Sequence, residues 1–269
     1  MTNADHIIVG SGLTDAVVAR MLCDAGRDVL VVERRDHIGG NVHDSVHHSG
    51  IRIHTYGPHY FRTNSAKVWA WATRFAEFYP YEAVLASWVG GRYEHWPVTA
   101  DYVQRVAGHD WHPAFEGAPT NFEEASLAMM PRRSPPQSTS EIPTAVGFDY
   151  LKQRDRFTAR RSVVFTGPID EYFGFDLVRL AYRSQRREHR FEPGVQASQL
   201  YGQVNNPDPD NGPHVRTLEW KHMLSRDEAA AVSGTVLTAE TPFNPSDPND
   251  YEYPFPDAAD KALFVEYEI

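Results

Sequence analysis

The feature that most constrains this chain is an ordered set of short signals between residues 5 and 43. The apolar run His6-Ile7-Ile8-Val9 ends in Gly10-Ser11-Gly12, and an amphipathic stretch from Ala16 to Ala25 follows and stops at Gly26. A second apolar run, Val29-Leu30-Val31-Val32, ends in Glu33, 21 positions after Gly12. Strand, glycine turn, helix, strand and acid, in that order, describe a dinucleotide-binding βαβ unit. Gly10 permits a tight turn. Gly12 lets a pyrophosphate approach the backbone at the helix N-terminus, where unbonded N–H groups favour anions. Glu33 stands where an acid would bond a ribose hydroxyl. Asp15 replaces the third glycine of the fingerprint, and its carboxylate must be accommodated sterically and would repel a bound phosphate. The same order of elements also builds an α/β turn with no nucleotide, so both readings stand at this point.

With 269 residues the chain lies near the upper limit for a single core, so one domain with an insertion, or two domains, is expected. A net charge of −10 argues against nucleic-acid binding, which needs a basic face, but leaves room for a small anionic ligand held by a few local arginines. No apolar run is long enough to span a membrane, and the first strand begins too early for a signal peptide. The single Cys23 falls in the first helical pattern as a small apolar group. These features together predict a cytoplasmic protein. Beyond Glu33, the pair Gly39-Gly40 suggests a second close approach of backbone to ligand. Ile51-Arg52-Ile53-His54 alternates as a strand does, and residues 55–63 turn out of it.

Several blocks, taken in order, resemble the UDP-galactopyranose mutases, flavoenzymes that interconvert UDP-galactopyranose and UDP-galactofuranose. They are "VGSGLTDAVVAR…VLVVERRDHIGGNVHD…GIRIHTYGPHYFRT", "VVFTGPIDEYFGF…LAYRS", "HVRTLEWKHM" and "YEYPFP". The resemblance implies an α/β fold, with a Rossmann-like FAD-binding βαβ core, a β-rich substrate region and a truncated helical insertion domain. It implies FAD, reduced for activity, held by Gly10, Gly12, Glu33, Arg34, Gly39, Gly40, Asn41 and His59. The hard chemistry belongs to that cofactor, while the protein supplies orientation and diphosphate electrostatics. A UDP-sugar would meet Arg183, Asn206, Arg216 and Tyr253, with His59, Arg183 and Arg216 closest to the reaction. An arginine fork suits a diphosphate because several donors meet several oxygens. Read without the resemblance, Arg183 belongs to a basic, solvated strand face and Arg216 to a surface pair with Glu219. The family's second histidine is Arg62 here, an always-charged group that either favours an anionic reduced flavin or points elsewhere.

Four segments follow: residues 1–63 as the FAD-binding unit, 64–130 as a shortened remnant of the substrate domain, 131–145 as a linker, and 146–269 as a substrate-binding β region. Within them the spacing predicts one amphipathic helix from Asn64 to about Glu82 and a hairpin from Ser87 to His95 turning at Gly90-Gly91. A helix capped by Asn121 comes next, then the Ser/Pro-rich stretch from Arg132 to Pro143. A strand is expected over Ser162–Thr166 and a last helix over Asp257–Tyr267. Asp170 and Glu171 read as caps or solvated turn residues in preference to acid–base catalysts. The six histidines between His37 and His59 match no zinc spacing, and no metal is expected. Relative to the family, the C-terminal flavin-binding segment is expected to be missing, which would leave a sheet edge for a partner chain or a second copy to cover. The leading expectation is therefore a shortened mutase; the alternative is a degenerate, non-catalytic relative acting as a binding or accessory protein.

Overall fold

The computed structural model describes residues 2–97, 99–108, 132–133, 142–255 and 258–267. In chain order its elements begin β1 (Thr2–Val9), α1 (Leu13–Asp24), β2 (Val29–Val32), β3 (Asp44–Val46), β4 (Arg52–His54) and α2 (Ala66–Ala72). Then come β5 (Pro80–Tyr81), β6 (Leu85–Val89), β7 (Arg92–Trp96), α3 (Ala100–Ala107), β8 (Arg132–Arg133), β9 (Thr144–Ala145), β10 (Phe157–Phe165) and α4 (Ile169–Tyr172). The chain continues with β11 (Tyr182–Glu192), β12 (Gln203–Asn205), β13 (Arg216–Glu219), α5 (Arg226–Ala231), β14 (Thr235–Phe243), β15 (Tyr253–Pro254) and α6 (Ala258–Tyr267).

The first sheet is parallel, in the order β10-β1-β2-β9. Ile7 and Ile8 point to opposite faces, yet both are fully buried, which is why the strand reads as an unbroken apolar run. Ile7 packs with Leu30, Val32 and Tyr150, while Ile8 packs with Ala19 of α1 and with Val29 and Val31. Burial of two such side chains stabilises the sheet by roughly 1.5–3 kcal/mol each. The expected strand at residues 162–166 starts earlier, at Phe157, because residues 157–159 extend the ladder onto Thr2–Ala4. Among the described residues, β10 has no strand on its outer side.

The second sheet is larger and mostly antiparallel, ordered β15-β11-β14-β13-β12-β6-β7. Its longest ladder runs from Ser184↔Phe243 to Glu192↔Thr235. The predicted hairpin forms as β6 and β7, with positive φ at both Gly90 and Gly91, the backbone that a tight two-residue turn demands. Ile51 and Ile53, at and beside β4, are buried against Leu218, Trp220 and Val236. This contact carries residues 54–59 onto the large sheet, beside the turn that leaves β2.

Three expectations change. The helix expected over residues 64–82 is confined to Ala66–Ala72: beyond it the amides of Arg74 and Phe75 turn back to the carbonyls three residues earlier, while the Thr73 hydroxyl donates to those of Trp69 and Ala70. Phe78 reaches Trp69, ring centres 5.0 Å apart, because the chain folds back, so its apparent helical spacing misled. Asp170 is fully buried and accepts from the Leu180 amide, so it is no solvated turn residue. Within the stretch read as a linker, Arg132–Arg133 pairs with Pro80–Tyr81 and Thr144–Ala145 pairs with β2. The helix expected after Asn121 lies outside the described residues.

Candidate functional site

Two adjoining cavities, of about 520 and 530 Å³, open where the two sheets meet, and both are walled by Asn41 and Glu252. Each is within the range of small-molecule sites.

The first lies over the glycine turn. Glu33, 6% exposed, accepts from the amide and hydroxyl of Ser11 (2.9 and 2.5 Å) through one oxygen and from the Arg35 amide (2.8 Å) through the other. Three of a carboxylate's roughly four acceptor positions are thus used, leaving one for a ligand. Leu13 and Thr14, in the first turn of α1 where amides lack intrahelical partners, also line the cavity. Arg34 lines it too, ion-paired to Glu171 at 2.7 Å. The approach made by Gly39-Gly40 is to the first glycine turn: a Cβ on Gly40 would lie 2.8 Å from the Gly12 Cα, and the Gly39 amide donates to the Ser11 carbonyl. Both glycines also line the cavity, so this packing holds their backbone beside the space a ligand would fill. Asp15 is 3% exposed, one oxygen accepting from the Gly12 amide (2.9 Å) and the other from the Thr166 hydroxyl (2.7 Å). Burial pushes its carboxyl above the usual carboxylate range, against the pull of those two bonds. A dinucleotide fits this cradle at its ribose and first-turn amides; Asp15 is the one misfit.

The second cavity lies over β11, β13 and β14. Glu240, fully buried, accepts from the Nε of Arg187 and the Nε of Arg216. Arg187 also makes a two-pronged pair with Glu252, at 2.6 and 2.9 Å. Arg187 is therefore committed, while Arg216, 30% exposed, keeps donors to offer. Gly57 packs against all three, since a Cβ there would lie 3.0 Å from Glu240 and 3.4 Å from each guanidinium. His59 places its Nδ1 2.8 Å from the Gly57 carbonyl, which requires a proton on Nδ1, and its amide donates to His54 Nδ1. His54 is half-buried, and its loss of solvent pushes its pKa down to about 4. The Tyr253 hydroxyl accepts from Gln185 Nε2 at 3.2 Å, which leaves its own proton free to donate.

Around the first cavity, then, the fold gathers Gly10, Gly12, Glu33, Arg34, Gly39, Gly40 and Asn41, and around the second Asn41, His59, Arg216 and Tyr253. Two expected residues line neither. Arg183 shares the β11 face of Gln185 and Arg187, but its guanidinium stacks 4.5 Å over Phe255. Asn206 spends its amide on the carbonyls of Gly212 and His214, bracing a loop, and the neighbouring Asn205 faces the cavity instead. Gln185, Arg187, Asn205, Glu240 and Glu252 were missed. Period-two alternation from Arg183 would have found the first two. Arg62 is exposed. Among the histidines, His37 stacks on His43 at 3.8 Å and bonds the Tyr56 hydroxyl, and no metal-holding cluster occurs among the described residues. Among these residues, too, no helix is long and apolar enough to cross a membrane.

Comparison with known proteins bears on both halves. The sequence profile described as UDP-galactopyranose mutase matches residues 129–269, and that of an NAD(P)-binding Rossmann-like domain matches residues 8–75. A probable UDP-galactopyranose mutase from Klebsiella pneumoniae is 37% identical over 99 residues, which is 36% of this chain and only 26% of that relative. The UDP-galactopyranose mutase of Mycoplasma pneumoniae is 23% identical over an alignment covering 98% of this chain and 86% of the relative. That alignment has 349 positions against a chain of 269 residues, so internal gaps shorten this chain relative to it. A crystal structure of reduced UDP-galactopyranose mutase superposes with a TM-score of 0.57 at 14% identity, covering 94% of this chain and 75% of that one. At that identity the likeness is one of fold.

Proposed function

The chain belongs to the UDP-galactopyranose mutase family, and from that membership we propose that it is a mutase-like flavoprotein, interconverting UDP-galactopyranose and UDP-galactofuranose or a related sugar nucleotide through reduced FAD. The observation that carries this reading is the pair of joined cavities, one bounded by the glycine turn and Glu33, the other by His59, Arg216 and Tyr253. In this reading Glu33 and the first-turn amides of α1 hold the ADP half of FAD. Bound in its reduced form, FAD supplies an electron-rich ring for the exchange at the sugar's anomeric carbon. Arg216 presents its uncommitted donors to the diphosphate, fixed in direction by Glu240. Tyr253, already accepting from Gln185, donates its proton to a phosphate oxygen. His59, with Nδ1 tied to Gly57, offers Nε2 as an acceptor towards the ring system.

The test is direct. Purified protein should be yellow or turn yellow with added FAD, bleach with dithionite, and convert UDP-galactofuranose only when reduced, as followed by chromatography of the sugar nucleotides. Protein that fails to take up FAD overturns the reading. Uptake of FAD without turnover of any UDP-sugar favours instead a non-catalytic relative acting as a binding or accessory protein. Asp15, a carboxylate where the cofactor's phosphates would lie, is the observation that keeps this second reading alive.

A further inference from the structure

The glycine turn carries a carboxylate of its own. Asp15 sits in the first turn of α1, and its Oδ2 accepts the Gly12 amide proton at 2.9 Å. The other oxygen accepts from Thr166 at the end of β10. The side chain fills the space above the turn so fully that a Cβ on Gly10 would come within 2.7 Å of it. A helix that begins with glycine has no side chain to satisfy its first amides and depends on water or a ligand anion. Here the helix supplies its own anion. We propose that Asp15 is the specificity-determining residue of the cradle: a built-in carboxylate that occupies the amide site of a diphosphate and sets the charge of the ligand accepted there. The inference rests on the dinucleotide reading above and goes beyond it. It assigns to this residue a weakened grip on the cofactor's phosphates and a helix that holds its shape without cofactor.

Proton linkage follows from the same geometry. The charged group that faces Asp15 is Glu33, at the end of β2; Thr166 from β10 and the turn glycines are uncharged. Burial and Glu33 both disfavour a charged Asp15, so an incoming phosphate drives it to the neutral acid, and binding strengthens as pH falls.

The experiment compares wild type, D15N and D15G by calorimetric titration with FAD and with ADP between pH 5.5 and 8, alongside melting of the ligand-free proteins. D15N keeps the size and an acceptor for Gly12 but removes the charge. It should bind both ligands at least about tenfold more tightly than wild type at pH 8, since about 1.4 kcal/mol of relieved repulsion gives that factor. The strengthening of wild-type binding as pH falls should shrink in D15N. D15G should bind tightly as well, yet melt lower than wild type without ligand. Equal affinities and parallel pH profiles in wild type and D15N overturn this inference while leaving the dinucleotide reading intact. Absence of binding by all three proteins overturns both.

Discussion

At the scale of single residues, the buried charges of the second cavity dominate. Glu240 is the carboxylate shared by Arg187 and Arg216, and it is wholly removed from water. Breaking a buried ion pair costs about 3–5 kcal/mol, and here Arg187 keeps Glu252 while Arg216 is partly exposed, which places the loss at the lower end. Glu240→Gln should therefore destabilise the protein by about 3 kcal/mol in urea unfolding, with an unchanged slope. His54 sets a pH limit. Its folded pKa is about 4, against 6.5 for an ordinary imidazole, so the unfolded chain binds a proton that the native chain refuses. The stability held by neutral His54 is present above pH 6.5 and is lost as pH falls from there towards 4. His54→Gln should flatten the drop in urea midpoint between pH 7 and pH 5; an unaltered drop would rule His54 out as its source. Sequence pattern revealed such residues unevenly. Glu33 and Gly12 could be found because their roles depend on neighbours within one βαβ unit. Glu240 could not, because its partners lie 53 and 24 positions away. Asn206 follows from the family resemblance, but it lies one residue past β12, and its neighbour Asn205 lines the second cavity, since successive residues along a strand face opposite ways.

Among the elements, short ones depend on their ends. Helix α5 has six residues, and its N-terminus closes through a reciprocal box: Ser225 Oγ accepts from the Glu228 amide while the Glu228 carboxylate accepts from the Ser225 amide. Ser225→Ala should cost about 1 kcal/mol by chemical denaturation. The elements that sequence made legible are those with a local cause: β1, α1 and β2 through periodicity and glycine, and β6–β7 through Gly90-Gly91. Helix α2 was overextended because Phe75 and Phe78 repeat at helical intervals for tertiary reasons. Phe75 does meet Trp71 one turn away, but Phe78 meets Trp69 and Phe61 only after the chain reverses.

For the whole molecule, the hinge of the design is the contact between the sheets. Asn41, leaving the nucleotide-type unit, accepts from Arg35 Nη1 and donates to the Glu252 carbonyl on the far side. Asn41→Ala loses both bonds. At about 1 kcal/mol each, it should lower the melting temperature by roughly 5 °C in a scanning calorimeter. The same two residues stand as a party wall between neighbouring chambers. Whatever straightens that wall for a tenant on one side alters the room on the other, and thermodynamics makes the favour mutual: each occupant changes the other's affinity by the same factor.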